Sequence, residues 1–123
     1  MPNVFAHGSL RRRGLNHGVV SLSEFLGNGE TAQQYCLCVM NNKPIATRRQ
    51  VSRIKGEVYS VDEQTLHIID RFKGHPHINK REVVSVQLED GRIIEAWMYF
   101  YMQPLRDSKI IESGDYTGEV RDG

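Results

Sequence analysis

Cysteine is scarce in this chain, which has only Cys36 and Cys38 among its 123 residues. The two positions lie two apart on a predicted strand, so both side chains point to the same side of it and pack there instead of bridging to each other. Two residues placed in this way cannot build a disulfide scaffold. A reducing compartment, the cytoplasm, is therefore the expected location.

Long hydrophobic runs and an excess of one charge are also missing. The longest apolar run spans 96–102, well below the roughly 18 residues of a membrane-spanning helix. The first residues, 1–5, lack the basic lead and apolar stretch of a signal peptide. Lys and Arg number 16 against 15 Asp and Glu, which leaves a net charge of +1. We therefore expect neither a membrane nor nucleic acid as partner, and we expect function to come from a local site.

What is present is the composition of a soluble globular domain. Hydrophobic residues make up 39% and charged residues 25% of the chain, both ordinary values for such a domain. The length fits one core, so we predict a single domain over 1–123.

Strand patterns occupy much of the chain. The segments with buried or alternating apolar residues are 35–40, 53–60, 81–89 and 92–101. The last two are joined by Glu89-Asp90-Gly91, a sequence typical of a hairpin turn.

One segment has the pattern of an amphipathic helix. Ser60 and Glu63 have the spacing of a capping box, which predicts where the helix begins. Its apolar positions are Leu66, Ile68, Ile69 and Phe72. Gly74 and Pro76 predict its end. Together these patterns predict an α+β domain with a mostly antiparallel sheet, either open or curled into a barrel, and one main helix packed on it.

The first candidate site is His7-Gly8-Ser9-Leu10, directly after the opening strand. Gly8 lets the backbone turn with its N–H groups facing outward, an arrangement that can hold a carboxylate or phosphate. A single glycine is also typical of an ordinary turn after a strand. Both interpretations stay open on the spacing alone.

An ordered set of motifs resembles the gamma-glutamylcyclotransferase superfamily, closest to its gamma-glutamylamine cyclotransferase branch and the short bacterial relatives. The motifs are, in chain order, His7-Gly8-Ser9-Leu10-Arg11-Arg12 with Asn16-His17, Gly56-Glu57-Val58-Tyr59 with Asp62, Ile69-Asp70, Trp97-Met98-Tyr99, and Glu112-Ser113-Gly114-Asp115-Tyr116. They span nearly the whole chain.

The resemblance implies a fold and a reaction. The fold is a small mixed β-barrel with flanking helices. In the reaction the free α-amine of a γ-glutamyl group attacks its own γ-carbonyl, which releases an amine and 5-oxoproline without a cofactor. A turn of N–H groups holds the α-carboxylate, and a general base moves the proton. In the family this base is a glutamate three residues after the helix aspartate.

This chain departs from the family pattern at that position. The residue three after Asp70 is Lys73, and an ammonium cannot accept a proton unless burial or a cationic neighbour lowers its pKa by several units. The opening aromatic residue is replaced by His7 and a downstream tyrosine by Asn79. Loss of a positioned base typically costs about 10²- to 10⁴-fold in rate.

Two residues are candidate replacements for the base. Glu82 lies in the inward phase of its strand, where a carboxylate is costly unless it is paired, although a strand end or an arginine partner would also explain it. His7 has an ordinary pKa of about 6.5, which suits acid–base work, but a packed histidine in a turn explains it equally. Lys73 would either pair with an anionic group of a ligand or remain solvated at a helix C-terminus.

We therefore expect a small-molecule pocket between the 7–10 turn, segment 44–46, Gly56 and the end of the helix. The predicted ligand-binding residues are His7, Gly8, Ser9, Leu10, Gly56 and Lys73, and the candidate catalytic residues are Glu82 and His7. Two functions follow. One is an enzyme that cyclises γ-glutamyl amines, and the other is a pseudoenzyme that acts as a ligand-binding or protein-interaction module.

Other chemistries have less support, and no metal or cofactor is expected. Residues of metal-ligand type are present at His67, His75, His77, Cys36 and Cys38, but the spacing of a structural zinc site is absent. The basic clusters 11–13 and 48–49 are typical of solvated faces, and no nucleic-acid-binding motif accompanies them. The oligomeric state does not follow from the sequence.

Overall fold

A computed structural model describes residues 1–117 of the chain. The elements are β1 (Asn3–Ala6), a 3₁₀ helix (His17–Val19), β2 (Glu24–Met40), β3 (Lys43–Ser60), α1 (Glu63–Lys73), β4 (Asn79–Leu88), β5 (Ile93–Tyr101) and β6 (Ser108–Ile110).

Five of the strands form a closed barrel. They run in the order β3-β1-β5-β4-β2, and β2 pairs back onto β3, so the sheet closes on itself. The pairing of β1 with β5 is parallel and the other pairings are antiparallel. The short β6 adds to the end of β2. The predicted small, mixed, mostly antiparallel barrel is confirmed.

The hairpin of β2 and β3 supplies most of the barrel wall, with strands of 17 and 18 residues. Asn41 and Asn42 form its turn, with φ values of 53° and 61°, as a two-residue hairpin turn requires. The sequence predicted only 35–40 and 53–60 of these strands. Register shifts, one of them between Glu30 and Gln34, interrupt the alternation of apolar and polar residues that would have predicted the remainder.

The core has two main parts, and β1 lies between them. One fills the barrel and includes Phe5, Leu37, Ile54, Val58, Val86, Met98 and Phe100. The other lies under the helix and includes Val4, Ala6, Leu10, Tyr59, Leu66, Ile69 and Tyr99. Because alternate residues of β1 enter the two parts, the backbone that follows β1 is held from both sides.

The helix begins later than its sequence pattern predicted. Ser60 ends β3, and the N-cap is Asp62, whose carboxylate accepts a hydrogen bond of 2.6 Å from the Thr65 N–H. The proposed Ser60 capping box is therefore wrong. Of the apolar stripe, Leu66 and Ile69 are buried, while Ile68 and Phe72 are about half exposed. The predicted end is confirmed, because Gly74 caps the helix in the left-handed conformation, with φ of 67°.

The remaining strand predictions hold. Val84, Val86 and Leu88 on β4 are buried, and a turn with Gly91 at φ of 95° connects β4 to β5. Cys36 and Cys38 are free and buried, and burial raises the pKa of Cys38. In residues 1–117 the one α-helix is too short and too polar to cross a lipid bilayer.

Candidate functional site

The loop after β1 is held in shape mainly through its carbonyl oxygens. Arg11 N–H donates to the Gly8 carbonyl at 3.0 Å, and Asn16 N–H donates to the Ser9 carbonyl at 2.9 Å. The His17 Nδ1–H donates to the Leu10 carbonyl, also at 2.9 Å. The Asn16-His17 pair of the sequence motif therefore folds the loop back on itself.

Glu57 anchors the same loop to β3. It is buried, with 5% of its surface exposed, and its Oε1 accepts hydrogen bonds from Arg12 N–H at 2.9 Å and from the Tyr59 hydroxyl at 2.8 Å. Burial and the bond to Glu57 together raise the pKa of Tyr59 to about 12. Sequence reasoning gave Glu57 no role, although a carboxylate within a buried strand signals a structural partner nearby.

Asp115 and Tyr116, near the C-terminus, bind the same loop through Arg11. The Arg11 guanidinium donates to the Asp115 carboxylate at 2.7 Å and to the Tyr116 carbonyl at 2.9 Å. Arg11 also lies 3.8 Å from Glu57. Two motifs that are far apart in the sequence therefore meet at one loop.

The loop leaves three backbone donors without a protein partner. Among residues 1–117, none accepts a hydrogen bond from the N–H of Gly8, Ser9 or Leu10. A Cβ on Gly8 would lie 2.7 Å from Cγ of Pro44, so the backbone passes close to the 44–46 segment. Backbone N–H groups of this kind are strong donors that need an acceptor, and a carboxylate oxygen supplies one.

A small cavity of about 10 Å³ lies beside this loop. Its lining residues are Phe5, Ala6, His7, Gly8, Leu10, Lys73 and Tyr99. That volume is about what one water molecule occupies. The structure thus brings together four of the predicted site residues, His7, Gly8, Leu10 and Lys73. Phe5, Ala6 and Tyr99 were not predicted.

His7 is a neutral side chain in this site. It is 6% exposed, and its Nδ1 has no hydrogen-bond partner. Burial, followed by the nearby charge of Lys73, lowers the pKa of His7 to about 3. A group with that pKa is uncharged near neutral pH and is a weak base.

Lys73 ends the helix and points its amine toward the same cavity. Its Nζ lies 6.0 Å from the centre of the Tyr99 ring, and no carboxylate in residues 1–117 lies within ion-pair distance of it. Lys73 is partly buried, and burial lowers the pKa of its amine to about 8. Asn79 fixes the backbone here, since its side-chain amide donates to the Lys73 carbonyl at 2.9 Å.

Tyr99 forms the opposite wall, and its hydroxyl is already engaged. It donates to Asp70 at 2.6 Å, and Arg81 donates to the same carboxylate at 2.8 Å. Burial opposes ionisation of Asp70, but the two hydrogen bonds outweigh it and hold the pKa of Asp70 below its usual value. Burial and the bond to Asp70 raise the pKa of Tyr99 well above that of a free tyrosine.

Three predicted site residues do not line the cavity. Glu82 forms an ion pair with Arg48. Ser9 accepts a hydrogen bond from the Asn16 side chain at 3.1 Å. A Cβ on Gly56 would lie 2.4 Å from the Ala6 carbonyl oxygen, so the close approach at Gly56 is made by the β1 backbone.

The structure groups no three His, Cys, Asp or Glu side chains of residues 1–117 in a way that could hold a metal ion. Here the site consists of unpaired N–H donors, a neutral imidazole and an unpaired amine around a small cavity. That arrangement, on a closed mixed barrel, is suited to binding the carboxylate of a small molecule.

Comparison with known proteins places this chain in a family. The family model described as "Gamma-glutamyl cyclotransferase, AIG2-like" matches residues 4–118. The chain belongs to this family, as its sequence motifs predicted.

Relatives and solved structures agree with that assignment. A Methanocaldococcus jannaschii protein with the name "Putative gamma-glutamylcyclotransferase" is 43% identical over 117 residues, covering 94% of this chain and 96% of its own length. The rat gamma-glutamylaminecyclotransferase is 30% identical over 97 residues, 72% of this chain and 65% of that protein. The crystal structure of a mouse AIG2-like protein has a TM-score of 0.79 at 28% identity, covering 94% of this chain and 88% of the mouse chain.

Proposed function

We propose that this chain binds a small γ-glutamyl compound by its α-carboxylate and releases 5-oxoproline from γ-glutamyl amines. The observation that carries the proposal is the set of unpartnered N–H groups of Gly8, Ser9 and Leu10 beside the cavity that Lys73 and Tyr99 line. Family membership supports the γ-glutamyl part, and the name of the rat relative supports an amine as the leaving group.

The loop would act by holding one end of the ligand. Several N–H donors to one carboxylate are charge-assisted hydrogen bonds, which fix orientation as well as adding affinity. With the α-carboxylate held, the α-amine and the γ-carbonyl of the same molecule are kept within reach of each other, which favours closure of the five-membered ring. Because the cavity has room for about one water molecule, it admits no more than one oxygen of the carboxylate, and the rest of the ligand would lie outside it over the loop.

The second candidate is a binding module without turnover. This candidate is favoured by Lys73 at the family's glutamate position. It is also favoured because neither candidate replacement base, Glu82 or His7, is suited to accept a proton. Glu82 is paired with Arg48, and the low pKa of His7 makes it a weak base. In this case the Lys73 ammonium would pair with an anionic group of the ligand.

An assay of 5-oxoproline release tests the proposal. The panel is a set of γ-glutamyl amines and γ-glutamyl amino acids, with α-glutamyl isomers as matched controls that carry the same charges but lack the reacting geometry. We expect release from at least one γ-glutamyl amine and none from the α-glutamyl isomers.

The same experiment separates the two candidates. No release, together with binding of 5-oxoproline measured by calorimetry, would favour the binding module. Neither release nor binding would contradict both candidates. Glu82→Gln is expected to leave release unchanged within about threefold, since Glu82 lies outside the cavity lining.

A further inference from the structure

We infer that the amine of Lys73, in its neutral form, is the general base of the ring closure. The inference rests on the proposed function, because it assumes a γ-glutamyl ligand held by the loop amides. It assigns the proton transfer to the residue that stands at the family's glutamate position, where the family pattern alone indicates a lost base.

The cavity lining offers three titratable side chains. Tyr99 already donates its hydroxyl proton to Asp70 at 2.6 Å, and its raised pKa keeps it protonated. His7 is neutral near neutral pH, but its pKa of about 3 makes it too weak a base to take a proton from an ammonium group. Lys73 is the remaining group in the described lining, and its conjugate base is strong enough to deprotonate an ammonium.

The surroundings of Lys73 disfavour its charged form. No carboxylate in the described residues pairs with it. Asp70 lies on the same helix as Lys73, but its carboxylate already accepts hydrogen bonds from Arg81 of β4 and Tyr99 of β5. From the loop, Lys73 faces the neutral His7, and the positive charge of Arg11 acts on His7.

These conditions make a neutral amine accessible. Burial lowers the pKa of Lys73 to about 8, so roughly one molecule in ten carries the neutral amine at pH 7 and half do at pH 8. A ligand that brings its own α-ammonium next to Lys73 would lower this pKa further, because two like charges would meet in a poorly solvated site.

The proton steps balance without any co-reactant. The Lys73 amine takes one proton from the α-ammonium of the ligand, and the freed amine attacks the γ-carbon, forming the ring C–N bond. The Lys73 ammonium returns that proton to the leaving nitrogen as the γ C–N bond breaks. The second proton that the ring nitrogen sheds also ends on the leaving amine, so the products are the 5-oxoproline carboxylate and an alkylammonium ion.

Substitutions at position 73 separate the charge of the side chain from its ability to accept a proton. Lys73→Arg keeps a cation but cannot act as a base near neutral pH. We expect it to lower kcat by about 10²- to 10⁴-fold while the affinity for 5-oxoproline stays within about threefold. Lys55→Arg, on the exposed face of β3, is the matched control and should change neither quantity.

The pH profile gives an independent readout. For the wild-type protein we expect kcat/KM, which reports ionisation of the free protein, to rise about tenfold per pH unit up to about pH 8 and then level off. Lys73→Glu should be active with a profile that levels at least two pH units lower, because a carboxylate titrates at lower pH. NMR titration of the Lys73 amine should give a pKa near 8 in the free protein.

Several results would overturn the inference. They are a Lys73→Arg protein with a rate within a few fold of wild type, a Lys73→Glu profile that still levels near pH 8, and a measured Lys73 pKa above 10. Binding of 5-oxoproline with no release by the wild-type protein would also overturn it, while the ligand-binding part of the proposed function would stand.

Discussion

His7 and Lys73 show how one cavity gives two basic side chains different protonation behaviour. Burial lowers the pKa of both side chains, and the charge of Lys73 lowers that of His7 further. His7 starts from the lower ordinary pKa and becomes neutral throughout the physiological range. Lys73 starts higher and is left near the point where both of its forms are populated, which suits proton transfer.

The low pKa of His7 makes the stability of the protein sensitive to acid. The pKa is about 3 in the folded chain and about 6.5 when unfolded, so the unfolded state binds the extra proton between these values. Titration of His7 therefore leaves the free energy of unfolding unchanged above about pH 6.5. As the pH falls from there toward 3, it lowers the free energy of unfolding by up to about 1.4 kcal/mol per pH unit.

Urea unfolding at pH 5 and pH 7 measures this effect. His7→Leu should reduce the loss of unfolding free energy between the two pH values, because the variant has no group to titrate at this position. His67→Leu, at an exposed position on the helix, should lose stability as the wild-type protein does. Equal losses in the wild-type and His7→Leu proteins would contradict burial of a neutral imidazole.

The positions of individual residues in the candidate site could be predicted where they belong to a sequence motif. They could not be predicted where the contact depends on a residue far away in the sequence. His7, Gly8 and Leu10 follow from the turn after β1, and Lys73 follows from its distance to Asp70. Glu82 has the inward phase that its strand pattern indicated. Its pairing with Arg48 depends on how β3 crosses the barrel, which local sequence does not encode.

At the scale of elements, the site depends on where β1 ends and where α1 ends. The loop begins where β1 ends, between the two parts of the core. Glu57 of β3 holds the loop by accepting a hydrogen bond of 2.9 Å from the Arg12 N–H. The helix brings Lys73 to the loop by ending at the Gly74 cap. The sequence predicted this end of the helix but not its start, because Asp62 and Ser60 are both good N-cap residues and only the length of β3 decides between them.

The contact between β1 and β3 leaves no room for a side chain at Gly56. A Cβ there would lie 2.4 Å from the Ala6 carbonyl oxygen and 2.8 Å from the Phe5 ring. Gly56→Ala should therefore force the two strands apart and lower the free energy of unfolding by about 1–3 kcal/mol.

A matched glycine substitution gives the comparison for this prediction. Gly18→Ala places a Cβ where no atom lies within 4 Å, so its unfolding midpoint in urea should stay close to that of wild type. If Gly56→Ala were as stable as Gly18→Ala, the strands would not be in the close contact described above.

At the scale of the whole molecule, closure of the barrel fixes the positions of the strands around the site. The pairing of β2 with β3 completes the ring of five strands, so every strand around the site has two neighbours. The fold class was predictable from alternation in β4 and from the family motifs. The length of the β2–β3 hairpin and the addition of β6 were not, because bulges and polar residues obscure the strand pattern there.

The central claim is that the loop amides after β1 receive a small carboxylate. The most direct test is a ¹⁵N-NMR titration with 5-oxoproline, using 2-pyrrolidinone, which has the same ring without the carboxylate, as the control ligand. We predict saturable shifts that are largest at the amides of Gly8, Ser9 and Leu10 and absent with 2-pyrrolidinone. Unchanged loop amides at saturating 5-oxoproline, or equal shifts with both ligands, would contradict the claim.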